Sequence, residues 1–331
     1  MRTAAIVGWS GYGEFGDLVG SASSKLALGE GTITRGSKSL TIKGTDPVAV
    51  ARKLAFLPGV SWIAVGYEFD DQAGGTARLQ LLAKRYLRPG SSFRLTAQVE
   101  KSEQEEGDIL LDGNGTVLKS VKGTRVDEKH PDVTFRILMV RGSGAVGVEL
   151  KEGQGGIPTS RSTKVSCLVS GGYHSAVAAW MAALSGFSVT LVHARADDES
   201  LRQVARLYAE LSRRLDPQSL KLQVLDGVGS PGERLATWLD GATGDIIAGL
   251  HPECRGKRSR AVLKSYPSVL LPLLLLQEDE VKTKLDSLGI KVKGVDKAAT
   301  LAVAGKKASY VVRRLGGREA DINGVLDGLL N

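Results

Sequence analysis

Cysteine is scarce in this chain, which has two, Cys167 and Cys254, among 331 residues. The two form no C-x-x-C pair, which argues against a zinc knuckle or an iron–sulfur site. Their number also gives no basis for a disulfide framework. We therefore expect no structural metal and no disulfide network.

Runs of apolar residues are short. The most apolar stretch, 268–277, contains Pro272 and is too short to span a membrane. The first residues turn glycine-rich and acidic before an apolar core develops, so we expect no signal peptide. These absences predict a soluble protein of the cytoplasm with no membrane partner.

Positive charge is in modest excess. The 44 Lys and Arg residues outnumber the 36 Asp and Glu residues, which gives a net charge of +8 and an isoelectric point near 9.4. This excess is weak evidence for a polyanionic partner, because a basic enzyme without one would have the same balance. The length is sufficient for two or three domains with cores of their own.

The first part of the chain predicts two small α+β units. Residues 1–69 have the order strand, helix, two strands, helix, strand. Residues 70–76 are predicted to be a linker. In residues 77–150 a basic amphipathic helix and an alternating strand come before a hairpin, and Gly113 and Gly115 interrupt a stretch that stays unassigned.

The rest of the chain predicts a doubly wound α/β domain. A flexible linker, 151–164, leads into residues 165–331. Strands there alternate with helices, which is typical of a parallel sheet. The predicted strands of this domain are 165–169, 187–194, 220–226 and 244–250.

A first glycine motif follows the N-terminal strand. Gly11, Gly13 and Gly16 match G-x-G-x-x-G. A dinucleotide fingerprint would require a parallel second strand that ends in an acid about 20 residues later. A predicted hairpin follows instead, which argues against dinucleotide binding.

A second glycine turn carries more information. Leu168 and Val169 end a strand and run into Ser170, Gly171 and Gly172, and a helix follows. Glycines let backbone N–H groups approach a phosphate, and the helix N-terminus favours an anion. Ser175 adds a hydroxyl group. The parallel-sheet context favours a phosphate site over the alternative, an ordinary β–α turn made of small residues.

The segment 153–180, with the sequence GQGGIPTSRSTKVSCLVSGGYHSAVAAW, resembles the tRNA 4-thiouridine synthetase (ThiI-type tRNA sulfurtransferase) family. That family has a Gly-Gly-Leu-Pro linker before a Ser-Gly-Gly-x-Asp-Ser PP-loop. The similarity covers about residues 1–290 in layout, and only the linker and the PP-loop are specific.

This resemblance implies a fold and a set of partners. Residues 1–69 would be a ferredoxin-like domain, and residues 77–150 a THUMP domain that binds the tRNA acceptor end. Residues 165–331 would be a PP-loop ATPase-like domain that uses ATP and Mg²⁺. The implied enzyme activates a uridine carbonyl as an adenylate, and sulfur then displaces AMP. Sequence leaves the sulfur donor protein and a homodimer open.

The chain departs from the family pattern at its site. His174 replaces the acid of the PP-loop, so a carboxylate that would help to place magnesium is missing. A histidine offers an N–H donor or a cation instead, which predicts binding of a bare anion with less need of magnesium. Gly249 is retained after the fourth strand, and Arg258 falls about where the family has a glutamine.

Sulfur chemistry has weak candidates. No cysteine follows Cys254, whereas the family carries its sulfur on later cysteines or on an appended domain. Cys254 lies beside cations that would favour its thiolate, so it is a weak catalytic candidate. Cys167 is most simply a core residue. His193 matches a family position near adenine, and an idle strand-end histidine explains it equally well.

We predict RNA contacts from basic residues. Runs of basic residues are usually solvated, but the run RGKRSR (255–260) comes after the fourth strand, at the edge of the sheet where ligands bind. The predicted RNA-binding residues are Lys84, Arg85, Arg88, Arg94, Arg255, Lys257 and Arg260.

The sequence leaves two functions open. The first is a tRNA-binding protein whose ATP-dependent thiolation is weakened or lost, and the missing acid and cysteines favour it. The second is an active ATP-dependent tRNA sulfurtransferase that takes sulfur from an external donor.

Overall fold

The computed structural model divides into two compact units, Met1–Pro158 and Thr159–Asn331. It describes residues 2–26, 32–36, 38–43, 46–100, 105–249, 269–273, 276–288 and 311–313. Within these ranges, no helix has the length and apolar character needed to cross a membrane.

The first half of unit one has the predicted order of elements. These are β1 (Thr3–Trp9), α1 (Phe15–Lys25), β2 (Thr32–Arg35), β3 (Ser39–Lys43), α2 (Pro47–Leu54) and β4 (Val60–Phe69). The side chain of Asp46 accepts hydrogen bonds from the N–H groups of Val48 and Ala49, and Pro47 occupies the first turn, so α2 begins where expected. An antiparallel β2–β3 pair follows the first glycine motif, in agreement with the hairpin that argued against dinucleotide binding.

The second half of unit one contains two longer helices. Its elements are α3 (Gln72–Tyr86), β5 (Ser92–Glu100), α4 (Glu106–Ser120), β6 (Arg125–Val126), β7 (Val133–Val140) and β8 (Ser143–Gly155). The predicted linker at 70–76 is wrong, because the side chain of Asp71 caps Gly74 and starts α3 at Gln72. The unassigned stretch is α4. Its Gly113 packs on Leu95, whose Cδ2 would lie 2.3 Å from an added Cβ.

One sheet runs through both halves of unit one. Its strand order is β2-β3-β1-β4-β8-β7-β5-β6, and the antiparallel β4–β8 pair joins the two halves. The predicted flexible linker at 151–164 is wrong as local structure, because these residues lie largely in β8 and in β9 (Ile157–Leu168). The limits 1–69 and 77–150 remain predictions, since the sheet does not break between them.

Unit two is built on a mostly parallel sheet. After β9 it contains α5 (Tyr173–Leu184), β10 (Ser185–Ala194), α6 (Asp198–Arg214), a 3₁₀ turn (Pro217–Ser219), β11 (Leu220–Asp226), α7 (Pro231–Asp240), β12 (Asp245–Ala248), β13 (Val269–Leu270), α8 (Glu278–Leu288) and β14 (Val311–Arg313). The strand order is β13-β12-β9-β10-β11-β14. Strand β14 pairs antiparallel with β11 at one edge.

The order of strands positions a ligand crevice. The chain goes from β9 to β10 and β11 on one side, then crosses back to place β12 on the other side of β9. Ligands of open α/β sheets bind at such a reversal, outside the carboxyl ends of the strands. The fold is therefore the predicted one, an α+β part followed by a doubly wound α/β domain.

Candidate functional site

The second glycine turn lies at this reversal, directly after β9. Gly171 has a φ of +91°, which favours glycine. A Cβ added there would lie 2.8 Å from Cβ of Gln203 on α6, so the close approach of α6 also requires glycine. The residue types at the turn thus follow from backbone geometry and from packing.

The helix that follows the turn presents an uncapped N-terminus. Gly172 is the N-cap of α5, and no side chain caps it. The Ser175 hydroxyl donates to the carbonyl oxygen of Gly172 at 2.8 Å, which closes the first turn. Because the first N–H groups of a helix lack intrahelical partners, this end of α5 is suited to an anion.

The loop after β12 abuts the same turn. A Cβ added at Gly249 would lie 2.6 Å from the carbonyl oxygen of His174 and 2.7 Å from Cα of Ser175. The structure thus brings Ser170–Ser175 and Gly249 together, as the resemblance implies. Whether these residues contact a ligand remains a prediction.

His174 has a protein partner that the sequence did not reveal. Its Nε2 lies 3.0 Å from Oε2 of Glu278 on α8, and the side chain of His174 is buried. The Tyr173 hydroxyl donates to Oε1 of the same carboxylate, and the Tyr173 and His174 rings stack with centroids 4.1 Å apart. A run of acids at a helix start is visible in sequence, but nothing there shows which acid faces the turn.

His193 lies at the base of the turn, at the end of β10. Its Nδ1 is 3.0 Å from the carbonyl oxygen of Val169, so Nδ1 carries the proton. Burial lowers the pKa of His193, although its bond to Val169 opposes the shift. The ring is therefore neutral near pH 7. Its Nε2 is a buried acceptor for which the described part of the chain holds no hydrogen-bond partner.

A buried arginine that the sequence analysis missed connects the neighbouring loops. Arg234 on α7 donates to the carbonyl oxygens of Gly227 and Gly229 after β11, and to that of Arg195 after β10. Burial opposes ionisation of Asp226, but hydrogen bonds from Arg195 and from the Gly227 N–H lower its pKa overall. These contacts fix two loops at the carboxyl edge of the sheet.

Of the two cysteines, only Cys167 lies within the described residues. Cys167 lies in β9 with no exposed surface, and burial raises the pKa of its thiol to about 12. The prediction that it is a core residue is confirmed. Five predicted site residues lie outside the described residues, namely Cys254, Arg255, Lys257, Arg258 and Arg260.

Unit one carries an exposed basic surface at the carboxyl ends of α3 and α4. The turns after the two helices are joined by a hydrogen bond from the Gly90 N–H to the carbonyl oxygen of Gly123, 3.0 Å long. The sequence predicts three of the six cations on this surface. It misses the other three, because only the contact between the two turns brings the carboxyl ends of α3 and α4 together. The members are Lys84, Arg85, Arg88, Lys119, Lys122 and Arg125.

The predicted Arg94 differs from this set. It is half-buried on β5, and its guanidinium donates to the carbonyl oxygen of Glu128 at 3.4 Å. It lies in the sheet that supports the basic surface and is less accessible than Lys84, Arg85 and Arg88.

Sequence comparisons identify curated proteins that are similar to this chain. No family model matches the chain. The probable tRNA sulfurtransferase of Bacillus subtilis is 26% identical over 162 residues, which cover 48% of this chain and 40% of the relative. That of Streptococcus pyogenes serotype M49 is 28% identical over 163 residues, 46% of this chain and 39% of the relative. The chain thus spans less than half the length of the curated relatives it matches.

Two solved structures share the fold. PH1313 from Pyrococcus horikoshii has a TM-score of 0.66 at 21% identity, covering 88% of this chain and all of that one. A 4-thiouridine synthetase–RNA complex with bound ATP has a TM-score of 0.66 at 17% identity, with 87% and 85% covered. The predicted resemblance to the tRNA 4-thiouridine synthetase family is therefore confirmed in sequence and in fold.

Proposed function

We propose that this protein binds tRNA and keeps the phosphate-binding turn of a tRNA 4-thiouridine synthetase, with its ATP-dependent thiolation weakened or lost. The observation that carries this proposal is the turn Ser170–Ser175. It has an uncapped helix N-terminus at the strand reversal, with a histidine in place of the acid. The similarity to tRNA sulfurtransferases supports the tRNA part.

We propose that the nucleotide bound at this turn is ATP. Its phosphates would accept hydrogen bonds from the backbone amides of the turn, against which Gly249 packs closely. The adenine would lie near Leu168 and Val169, where the neutral Nε2 of His193 can accept a hydrogen bond from an exocyclic amino group. The related 4-thiouridine synthetase structure contains ATP and RNA, which supports this assignment.

The tRNA would contact the basic surface of unit one. Six exposed cations there would neutralise phosphates and release counterions. Residues 1–69 and 77–150 would act together in this binding, because one sheet supports both. The predicted cations Arg255, Lys257, Arg258 and Arg260 lie outside the described residues and would add phosphate contacts.

Two observations support weakened thiolation. Cys167 is too buried to act as a nucleophile, and His174 stands where the family has its acid. The alternative is an active sulfurtransferase that adenylates a uridine and receives sulfur from an external donor protein. One observation favours this alternative, because Glu278 places a carboxylate beside His174.

Charge reversal of cations that the structure adds to the basic surface tests tRNA binding. In the double variant Lys119→Glu and Lys122→Glu, affinity for tRNA in a filter-binding assay should fall at least about tenfold at low salt, because each phosphate contact contributes. The control is Arg52→Glu, an exposed cation at the end of α2. Equal affinity of the double variant and the control would refute the proposed RNA surface.

A further inference from the structure

The carboxylate of Glu278 lies at the edge of the sheet where the phosphate turn is found. Strand β13 runs parallel to β12, so both strands end at that edge. Helix α8 follows β13 and begins with Glu278. The first turns of α5 and α8 therefore meet beside Ser170–Ser175, although 104 residues separate Glu278 from His174.

Two side chains of the turn's own helix orient this carboxylate. A carboxylate only accepts hydrogen bonds, so the contact at 3.0 Å makes Nε2 of His174 the donor to Oε2. The Tyr173 hydroxyl donates to Oε1. These two donors hold the carboxyl group in one orientation. The side chain of Glu278 is 20% exposed, so it retains access from the solvent side.

A second feature of the same site indicates a missing ligand. His193 is 2% exposed, and its Nε2 has no hydrogen-bond partner in the described part of the chain. Burying an acceptor without a partner is unfavourable, and such groups in folded proteins usually face a ligand or water. His193 is bonded to Val169, the residue just before the turn, so this acceptor lies at the base of the turn.

We propose that Glu278, held by Tyr173 and His174, binds the Mg²⁺ ion that accompanies a polyphosphate at the Ser170–Ser175 turn. This inference rests on the proposed function, because it requires that the turn binds phosphate. Magnesium is usually held by one or two carboxylates together with substrate phosphates and water. A single carboxylate is therefore enough, and no cluster of three ligands is needed.

This proposal revises the expectation drawn from the sequence. Residue 174 alone predicts less need of magnesium, since the acid is lost there. The structure places a carboxylate one side chain further out, with His174 as its support. Lys282 lies 3.8 Å from Oε1 of Glu278 and partly offsets its charge, so the resulting metal site is weaker than one with a free acid.

Pyrophosphate binding by calorimetry, with and without Mg²⁺, tests the proposal in the full chain. Glu278→Gln removes the charge and keeps the shape, and should lower the affinity for pyrophosphate about tenfold at a fixed free Mg²⁺ concentration. Without Mg²⁺ this variant should bind at least as tightly as the parent. Glu280→Gln is the matched control, because it removes an exposed charge of the same helical turn whose carboxylate bonds to the Gln277 N–H.

If Glu278→Gln does not fold, a measurement on the unsubstituted protein tests the same proposal. With pyrophosphate bound, Mn²⁺ in place of Mg²⁺ should broaden the ring proton resonances of His174 and leave those of the exposed His130 sharp. Equal broadening at both residues, or Mg²⁺ dependence that Glu278→Gln retains, would overturn the proposal.

The outcomes also separate this proposal from the proposed function. Pyrophosphate binding that is equal with and without Mg²⁺ would refute the role of Glu278 and leave the phosphate turn intact. Absence of pyrophosphate binding under both conditions would refute the phosphate turn and the metal site together.

Discussion

Single residues at this site act according to how deeply they are buried. His193 and Cys167 both lie in the core of unit two, one as a neutral ring and the other as a neutral thiol. Burial disfavours the charged form of each group, because the protein interior solvates charge less well than water. Their chemistry is therefore limited to what uncharged groups can do.

The pH dependence of stability should report His193. Its pKa in the folded protein lies below the ordinary 6.5, so the unfolded chain takes up a proton first as the pH falls. Stability is then constant above pH 6.5 and decreases below it, by up to about 1.4 kcal/mol per pH unit until the folded pKa is reached. Urea denaturation between pH 5 and 7 measures this slope.

The matched variants are His193→Asn and His130→Asn. Asparagine can still donate to Val169 and does not titrate, so the slope below pH 6.5 should become shallower in the first variant. The exposed His130 should leave the slope as it is. Identical slopes in the parent and in His193→Asn would show that the ring is not held neutral.

Cys167 should be inert in the folded protein. A pKa near 12 instead of 9.0 reduces its thiolate fraction about a thousandfold at neutral pH, and its side chain has no access to solvent. Iodoacetamide at pH 8 should label the Cys167 peptide only after denaturation, as detected by mass spectrometry. Labelling in the native state at the rate of a free thiol would contradict the burial of Cys167 and make it a candidate sulfur carrier.

At the scale of elements, the site depends on three segments that meet: the turn after β9, the loop after β12 and the start of α8. The first two could be predicted, because glycines after buried strands mark a phosphate turn in a parallel sheet. The third could not, since the pairing of His174 with Glu278 depends on where β13 joins the sheet.

Gly249→Ala tests the packing between the β12 loop and the turn. Its added Cβ would be 2.6 Å from a backbone carbonyl oxygen, so the turn must shift. Overpacking of this kind should cost about 1–3 kcal/mol in the free energy of unfolding and weaken pyrophosphate binding.

The control for this variant is Gly241→Ala, whose Cβ would meet no atom closer than 3.9 Å. Its stability and its affinity for pyrophosphate should remain near the parent values. If both variants behave alike in urea denaturation and in calorimetry, close packing at Gly249 is not what positions the turn.

Errors in the predicted elements have local causes. The sequence does not predict helix α4, because Gly113 and Gly115 lower helix propensity, whereas the structure uses Gly113 for close packing on Leu95. It predicts a start of helix α3 that is too late, because the first turn contains Gly74 and Gly75, and the cap from Asp71 outweighs them. The segment 151–164 is polar and flexible in composition, but long-range pairing with β4 orders its first part as a strand.

At the scale of the whole molecule, part of the positive charge lies where a polyanion could bind. Six cations at the ends of α3 and α4 share one surface of unit one. If about six phosphates are contacted, affinity for tRNA should fall by about a thousandfold between 50 and 200 mM salt. Binding that barely changes over this range, followed by fluorescence anisotropy, would contradict a phosphate-dominated interface.

We propose that the chain keeps the tRNA-binding and phosphate-binding parts of a tRNA 4-thiouridine synthetase, with its ATP-dependent thiolation weakened or lost. ATP–pyrophosphate exchange in the presence of tRNA measures formation of the adenylate, apart from sulfur transfer. We predict exchange far slower than about one per second, under conditions in which calorimetry shows that ATP and tRNA are bound. Exchange at that rate or faster would contradict the claim and establish the alternative, an active sulfurtransferase with an external sulfur donor.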